Sequence, residues 1–409
     1  MDDRVRSGVM RIAFVIPYFY PALQYGGQPK SCYELARALV RRGHLVTVLT
    51  TDSAGKSRLQ LEAGPVSRRN VEGIDVCYYR NLSNYFAFRH RLFLPVALFR
   101  DIRRQVVGCD ILHIHELRST VTIAAYNAAR TLRLPYVLSP HGGLIHHGKQ
   151  LAKQVFDSFY GRSILEHACM LAVVSPREKE DARAFNVDAS RVRLLPNTVF
   201  PEDYVRLPPP GGFRDRWSIG TGRLVLFLGR LHWIKGADLL IQAFTSLLKS
   251  HSDVHLAIAG PDDGQERKLR QMVAIDKIQH RVTFTGYLDH ETKLQALMDS
   301  DVLAIPSRNE IFAITALEAL MCGVPVLLSS VCGFAPMPPA ECGVRQFQAG
   351  NVRELERQLN RMVFEERIKP DIEITRDFVF REFSAAAVAE KAESLYSEAI
   401  KAKRTKTNS

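Results

Sequence analysis

Along the whole chain, short runs of apolar residues alternate with stretches in which apolar positions recur every three or four residues. Ile12–Ile16, Leu45–Leu49, Ile111–Ile114, Tyr136–Ser139, Met170–Val174 and Val192–Leu195 have strand length and little polar alternation. Strands of that kind are covered on both faces, as in a parallel sheet between helices. The first helix is predicted to open at Pro29, carry Leu35, Ala36, Leu39 and Val40 on one side, and stop at Gly43. The pattern breaks around Pro208–Gly212 and then restarts. Leu224–Leu228, His255–Ala259, Val282–Phe284, Val302–Ile305 and Val326–Leu328 predict a second parallel sheet. Leu239, Leu240, Ala243, Phe244, Leu247 and Leu248 line one side of a helix within it. From Ser384 to Ile400 an amphipathic helix follows, with no further strand.

The expected fold is α/β, with two doubly wound parallel-sheet domains. The first covers 1–200, a linker 201–222, the second 223–383, and a closing helix with a basic tail 384–409. Two such domains predict a cleft between them, with ligands at the carboxyl ends of strands.

Length agrees: 409 residues suit two cores rather than one. No apolar run reaches the ~18 residues of a membrane span, and Met1–Met10 is too polar for a secretory signal. Seven cysteines without a CxxC pair argue against a zinc site or a disulfide framework and for a reducing cytoplasm. The even spacing of Cys322, Cys332 and Cys342 lacks any accompanying ligand pattern.

Charge changes the picture more. The net +12 belongs entirely to the first half: residues 1–200 hold 28 Lys and Arg against 16 Asp and Glu, whereas 201–409 hold 27 of each. That half is expected to meet an anionic surface. Residues 89–104 mix apolar side chains with six cations, counting His90. They read either as a packed helix with a basic outer face or as a segment resting on an anionic membrane. The cations are not interleaved with stacking aromatics in a nucleic-acid motif, so no nucleic acid is expected as partner.

The candidate chemistry centres on Glu310 and Glu318, eight residues apart in an otherwise apolar run ending in Gly323-Val-Pro325. Ionised carboxylates in such surroundings need partners, either cations or the hydroxyls of a sugar nucleotide. In a helix their separation is about 12 Å, comparable with the span from a hexose to a ribose across a diphosphate. Arg230 and Lys235, bracketed by Gly229 and Gly236 between a strand and a helix, suit that diphosphate. Gly26-Gly27 after the first strand suits a phosphate at a helix start. GxGxxG and GxxxxGK[ST] are both absent, which argues against a nicotinamide domain and excludes a P-loop. His113 and His115 share one face of a strand, and His141 lies in a loop that follows another, placed to donate to a sugar hydroxyl or to developing charge. The adjacent His146-His147 lacks carboxylates at metal-ligand spacing, and Asp262-Asp263 reads as a strand-to-helix turn.

In their order along the chain these residues resemble family 4 of the retaining glycosyltransferases, which have the GT-B architecture. The resemblance rests on Gly26-Gly27, Asp110–His115, Pro140-His141-Gly142, Leu195-Pro196-Asn197, Gly229-Arg230 with Lys235-Gly236, Ala259-Gly260-Pro261, Phe284–Tyr287 and the Glu310/Glu318 pair. It covers nearly the whole chain. It implies an amino-terminal acceptor domain, with Gly26 and His115 on the acceptor side, and a carboxy-terminal nucleotide-sugar domain. It implies that Arg230 and Lys235 neutralise the diphosphate in place of a metal, that Glu310 touches the donor sugar, and that Glu318 holds the ribose. Phe312, Ala313 and Ile314 would approach sugar and phosphates through the backbone, Tyr287 would hold the base, Gly27 would face the donor, and His141 would sit near the reacting carbon. The last helix would cross back onto the first domain. Ile311, Ala313 and Thr198 stand where the family usually has glycine.

The implied activity is metal-independent, retaining transfer of a hexosyl group from a UDP- or GDP-sugar, with no cofactor. The implied acceptor is a lipid-linked glycan or polysaccharide in cell-surface glycan synthesis (lipopolysaccharide, capsule or exopolysaccharide). The expected place is the cytoplasm, at the inner face of the membrane. Two alternatives remain at this level: a non-catalytic nucleotide-sugar-binding scaffold, and a nucleotide-sugar epimerase of the same architecture.

Overall fold

The computed structural model describes residues 8–144, 150–334 and 337–408; the His146-His147 pair lies outside them. The chain divides into two compact units, Met1–Thr198 with Ala385–Ser409, and Val199–Ser384. Both are parallel-sheet, Rossmann-like domains.

The first unit holds β1 (Arg11–Val15), β2 (Leu45–Thr51), β3 (Ser53–Ala54), β4 (Ser57–Arg58), β5 (Val66–Val71), β6 (Ile74–Tyr79), β7 (Ile111–His115), β8 (Tyr136–Ser139), β9 (Met170–Val173) and β10 (Val192–Leu194). Eight of them form one sheet in the order β10-β9-β8-β7-β1-β2-β6-β5, and β3 pairs with β4. Chain order reverses between β1 and β7. Such a switch point opens a crevice at the carboxyl ends of the two strands. The β5–β6 hairpin is absent from the predicted elements. β5 is an antiparallel edge carrying exposed Arg68, Arg69 and Asn70, so it leaves no apolar run to read.

The helix Gly27–Arg41 packs Cys32, Leu35, Ala36 and Leu39 inward. It begins two residues before Pro29 and ends in a Schellman turn. Gly43, at φ +91°, donates to Val40 and His44 donates to Leu39. The sheet face bearing Phe14, His113 and His115 is closed in part by the final helix, Ala385–Asn408, which belongs to this unit. From it Tyr396, fully buried, sets its hydroxyl 2.8 Å from His113 Nδ1. Exposed rims of the same helix meet the unit through Arg42–Glu393 (2.6 Å) and Arg193–Glu398 (2.7 Å).

The second unit holds β11 (Arg223–Leu228), β12 (Val254–Ala259), β13 (Val282–Gly286), β14 (Val302–Ile305), β15 (Val326–Ser329) and β16 (Val344–Phe347). All are parallel, in the order β13-β12-β11-β14-β15-β16. Here the switch point falls between β11 and β14. β16, Val-Arg-Gln-Phe, is an edge strand with two polar residues between its apolar ends, so it presents no continuous apolar run.

The stretch 201–222, expected as a linker, is folded into this unit. Gly212–Trp217 is helical, Phe213 is fully buried, and the Asp299 carboxylate accepts the backbone N–H groups of Gly211, Phe213 and Arg214. Proline and glycine there shape a helix start and leave no free tether. Residues 89–104 form no single helix: Asn84–His90 and Val96–Val106 flank a buried Phe93.

Tyr396→Phe removes the hydroxyl while keeping the ring, leaving His113 Nδ1 buried without a partner. It is expected to cost about 1–3 kcal/mol, read as a lower urea midpoint of the first unit.

Candidate active site

In the second unit, two loops leave the adjacent carboxyl ends of β11 and β14. Glycine lets them approach: Gly236 has φ +72°, and a Cβ there would overlap the Pro306 carbonyl oxygen. In the loop after β12, Gly260, at φ +142°, is equally constrained: a Cβ there would overlap the Gly229 carbonyl oxygen. Arg308 then clamps the first loop, donating to Asp238 (2.7 and 2.8 Å) and to the Trp233 carbonyl (2.7 Å). Held this way, Lys235 forms an ion pair with Glu310. Glu310 is steadied by Ser307 Oγ at 3.3 Å, while its carbonyl accepts the N–H of Gly333 (2.9 Å). Arg230 pairs with Asp263 at 2.5 Å. Asp262, for its part, accepts the N–H groups of Gly264, Gln265 and Glu266, as a turn residue does.

Lys235 and Glu310 are therefore brought together, in a site that keeps partial exposure. Glu318 takes a different partner. It is buried on the helix Ile314–Met321 and pairs with Lys293 at 2.7 Å. The Phe312 ring turns away into an aromatic cluster, 5.5 Å from Phe334 and 5.8 Å from Phe383. That leaves its backbone, with those of Ala313 and Ile314, at the start of the helix, where no side chain caps the N–H groups. Tyr287 is exposed, 62 %, just past the end of β13.

In the first unit, β7 delivers His113 and His115, and the turn after β8 delivers His141 in left-handed backbone geometry, φ +49°. His113 spends both ring nitrogens on structure, on Tyr396 and on Ser139 Oγ (2.7 Å). His115 Nδ1 faces His141 Nε2 at 3.0 Å and Cys32 Sγ at 3.3 Å. Burial drives His113 down to about 3, His115 well below its usual value and His141 to about 4, so all three rings are neutral near pH 7. A neutral ring at His141 can donate a hydrogen bond or accept one, depending on its tautomer. Gly26, at φ +103°, and Gly27 lead into the helix that carries Cys32.

Sequence reasoning did not single out Lys293, Asp263 as the partner of Arg230, Arg308, Cys32 or Glu178. Glu178 alone had a legible signal, the Ser175-x-x-Glu178 pattern of a helix start. Its carboxylate, fully buried, accepts the N–H of Gly142 (2.5 Å) and of Val174 (2.9 Å), so it braces the turn next to His141.

Comparison with known proteins gives consistent results. The family model "Glycosyltransferase Family 4" matches residues 25–203, and "Glycosyl transferases group 1" matches 213–363. An uncharacterized glycosyltransferase of Methanocaldococcus jannaschii is 30 % identical over 338 residues, 79 % of this chain and 81 % of its own. The phosphatidylinositol N-acetylglucosaminyltransferase GPI3 subunit of Saccharomyces cerevisiae is 25 % identical over 86 % of this chain and 75 % of its own. Among solved structures, Anabaena Alr3699/HepE in complex with UDP-glucose superposes with a TM-score of 0.72 at 18 % identity, covering 95 % of this chain and 100 % of that one, a likeness of fold.

Two predictions follow from the side chains beneath the site. Lys293→Met strands the buried Glu318 carboxylate and is expected to cost about 3 kcal/mol; adding Glu318→Leu should restore most of the lost melting temperature. Burial lifts Glu178 from the ordinary carboxylate range to about 7. The folded chain thus keeps a proton there that the unfolded chain releases above about pH 4.3. Its contribution is full below that pH and declines as pH rises toward 7. The melting temperature of the wild type minus that of Glu178→Gln should therefore fall between about pH 5 and 7.5, and a constant difference would refute the assignment.

Proposed function

The chain belongs to glycosyltransferase family 4, and from that premise we propose that it moves a hexosyl group from a UDP- or GDP-sugar to a lipid-linked or polysaccharide acceptor, with retention and without a metal. The observation that carries this reading is the Lys235–Glu310 pair, with Arg230 beside it on the loop after β11, at the switch point of a parallel sheet. A nucleoside diphosphate needs cations near its phosphates and a hydrogen-bond acceptor near its sugar. The loops after β11 and β14 present both at adjacent strand ends.

In this reading Arg230 and Lys235 take up the charge that grows on the diphosphate as its bond to the anomeric carbon breaks. Glu310, held in place by Lys235 and Ser307, accepts from the sugar hydroxyls. The acceptor oxygen bonds to the same face of that carbon and passes its proton to the departing phosphate. His141, neutral, hydrogen-bonds near the reacting carbon. Glu318, steadied by Lys293, holds the ribose.

A membrane-linked acceptor is supported by the surface of the first unit. Leu82, Tyr85, Phe86, Leu92, Val96 and Phe99 are exposed beside the exposed Arg89, Arg100, Arg103 and Arg104. Exposed apolar side chains mixed with cations in one stretch suit the boundary of an anionic bilayer. Among the described residues no helix is long and apolar enough to cross a membrane. The yeast relative, a phosphatidylinositol N-acetylglucosaminyltransferase subunit, bears a name that places its acceptor in the lipid class.

The test combines binding with turnover. A panel of nucleoside diphosphates should raise the melting temperature selectively for one base, by about 2.7 kcal/mol of added stability at a hundredfold excess over Kd. Lys235→Ala and Glu310→Ala should each lower kcat/KM for transfer and for slow donor hydrolysis by about 10²–10³. Full turnover in both variants would exclude this site, and binding without any turnover in the wild type would favour the scaffold reading.

A further inference from the structure

The cluster in the first unit holds a chemistry that transfer itself does not call on. Cys32 Sγ, His115 Nδ1 and His141 Nε2 come from three separate elements, the helix Gly27–Arg41, the end of β7 and the turn after β8. All three atoms lie within 4.8 Å of one another. Among the described residues this is the one group of His, Cys, Asp and Glu side chains gathered in that way. It lines a depression with Ser31, His113, Ser139 and Asn197. None of the ligands is spoken for by an ion pair, and Cys32 and His115 are buried while His141 keeps partial exposure.

The hydrogen bonding of the cluster does not close. His115 Nδ1 has one lone pair or one proton, yet both His141 Nε2 and Cys32 Sγ address it. Its other nitrogen, Nε2, is buried with no partner, so a change of tautomer gains nothing there. His113 cannot relieve the crowding, because its nitrogens are taken by Tyr396 and Ser139. His115 Nδ1 can make only one of these two hydrogen bonds, so Cys32 or His141 is left without its partner there. A cation in place of the Cys32 proton would give all three atoms a partner.

We propose that Cys32, His115 and His141 form a binding site for a borderline-soft divalent cation, Zn²⁺ above all, with an open fourth position toward the depression. One thiolate and two imidazoles are the ligand set such an ion favours, and three protein ligands with a free position is a stable zinc geometry. Tetrahedral zinc with Zn–N near 2.0 Å and Zn–S near 2.3 Å sets N and N about 3.3 Å apart, and N and S about 3.6 Å apart. The observed 3.0 and 3.3 Å require an outward shift of about 0.3 Å in those two pairs, and the third pair, Cys32 with His141, lies within 4.8 Å. Binding exchanges the Cys32 S–H proton for the cation and releases that proton to solvent, with no change of oxidation state.

The consequence rests on the reading of His141 given above. An ion that holds His141 Nε2 removes it from the donor sugar, so the site is inhibitory and competes with transfer. Nothing in the spacing of Cys32, His115 and His141 announces this, since the ligands are 83 and 26 residues apart.

The experiment titrates the full-length protein with Co²⁺ alone, following the visible bands of a tetrahedral ion and the thiolate-to-metal charge-transfer band. One equivalent should bind, Zn²⁺ should displace it, and the charge-transfer band should vanish in Cys32→Ala and persist in Cys77→Ala, which removes a buried thiol elsewhere in the unit. Cys32→Ala should weaken Zn²⁺ binding by about 100-fold. Absence of the charge-transfer band in the wild type, or its survival in Cys32→Ala, overturns the site, whatever the stability of the variants. In the second arm Zn²⁺ should inhibit transfer by the wild type and not by Cys32→Ala. Stoichiometric Zn²⁺ binding through Cys32 without inhibition would uphold the metal site and instead overturn the role of His141 in transfer.

Discussion

Two loops meeting at adjacent strand ends are the constraint from which the second unit's chemistry follows. β11 and β14 are neighbours in the sheet although two strands separate them in the chain, so their loops turn toward opposite faces and leave a crevice. Glycine at 236 removes a side chain that would hold these loops apart, and glycine at 260 does the same for the loop after β12. Arg308, tied to Asp238 and the Trp233 carbonyl, fixes the height of the Trp233–Lys235 turn. Only then does the ammonium of Lys235 reach the Glu310 carboxylate. In the function proposed, a cation and an acid that meet in this way are oriented in advance for a ligand that carries both phosphate and hydroxyl groups. Little side-chain ordering remains to be done on binding.

The first unit solves a different problem. Its sheet carries two imidazoles on an apolar face that includes Ile12, Phe14 and Val137, and buried polar groups must be satisfied. Tyr396 and Ser139 do so for His113, which ties the carboxy-terminal helix to the middle of the sheet. For His115 the neighbours are Cys32 and His141. The same burial that keeps these rings neutral also gathers soft ligand atoms. Structural support and ligand chemistry thus lie two residues apart on a single strand.

Electrostatics divides the molecule as well. In the second unit each predicted site charge has an opposite charge at contact distance: Arg230 has Asp263, Lys235 has Glu310, and Glu318 has Lys293. In the first unit the surplus of cations gathers largely on exposed positions, several beside the apolar residues around Val96–Val106. One unit is balanced internally, and the other is left with charge to spend on a partner.

Continuous apolar strands, the alternation of strand and helix, and glycine bracketing Arg230 and Lys235 were all present in the linear chain. They suffice for two parallel-sheet domains and for the residues at the end of β11, because burial on both faces leaves a run that needs no context to be recognised. The edge strands Val66–Val71 and Val344–Phe347 were not legible, since an edge is half-solvated and its pattern resembles a loop, and the buried Ile74–Tyr79 was missed because Asp75 interrupts its apolar run. The stretch 201–222 read as a linker because proline and glycine mark turns, whereas Asp299, more than 80 residues away, folds it. Only the tertiary structure decided which carboxylate meets which cation, that Glu178 braces the His141 turn, and that Cys32 faces two imidazoles. Those pairings join residues far apart in the chain, and contact distance is set by how helices and sheet pack rather than by any spacing along it.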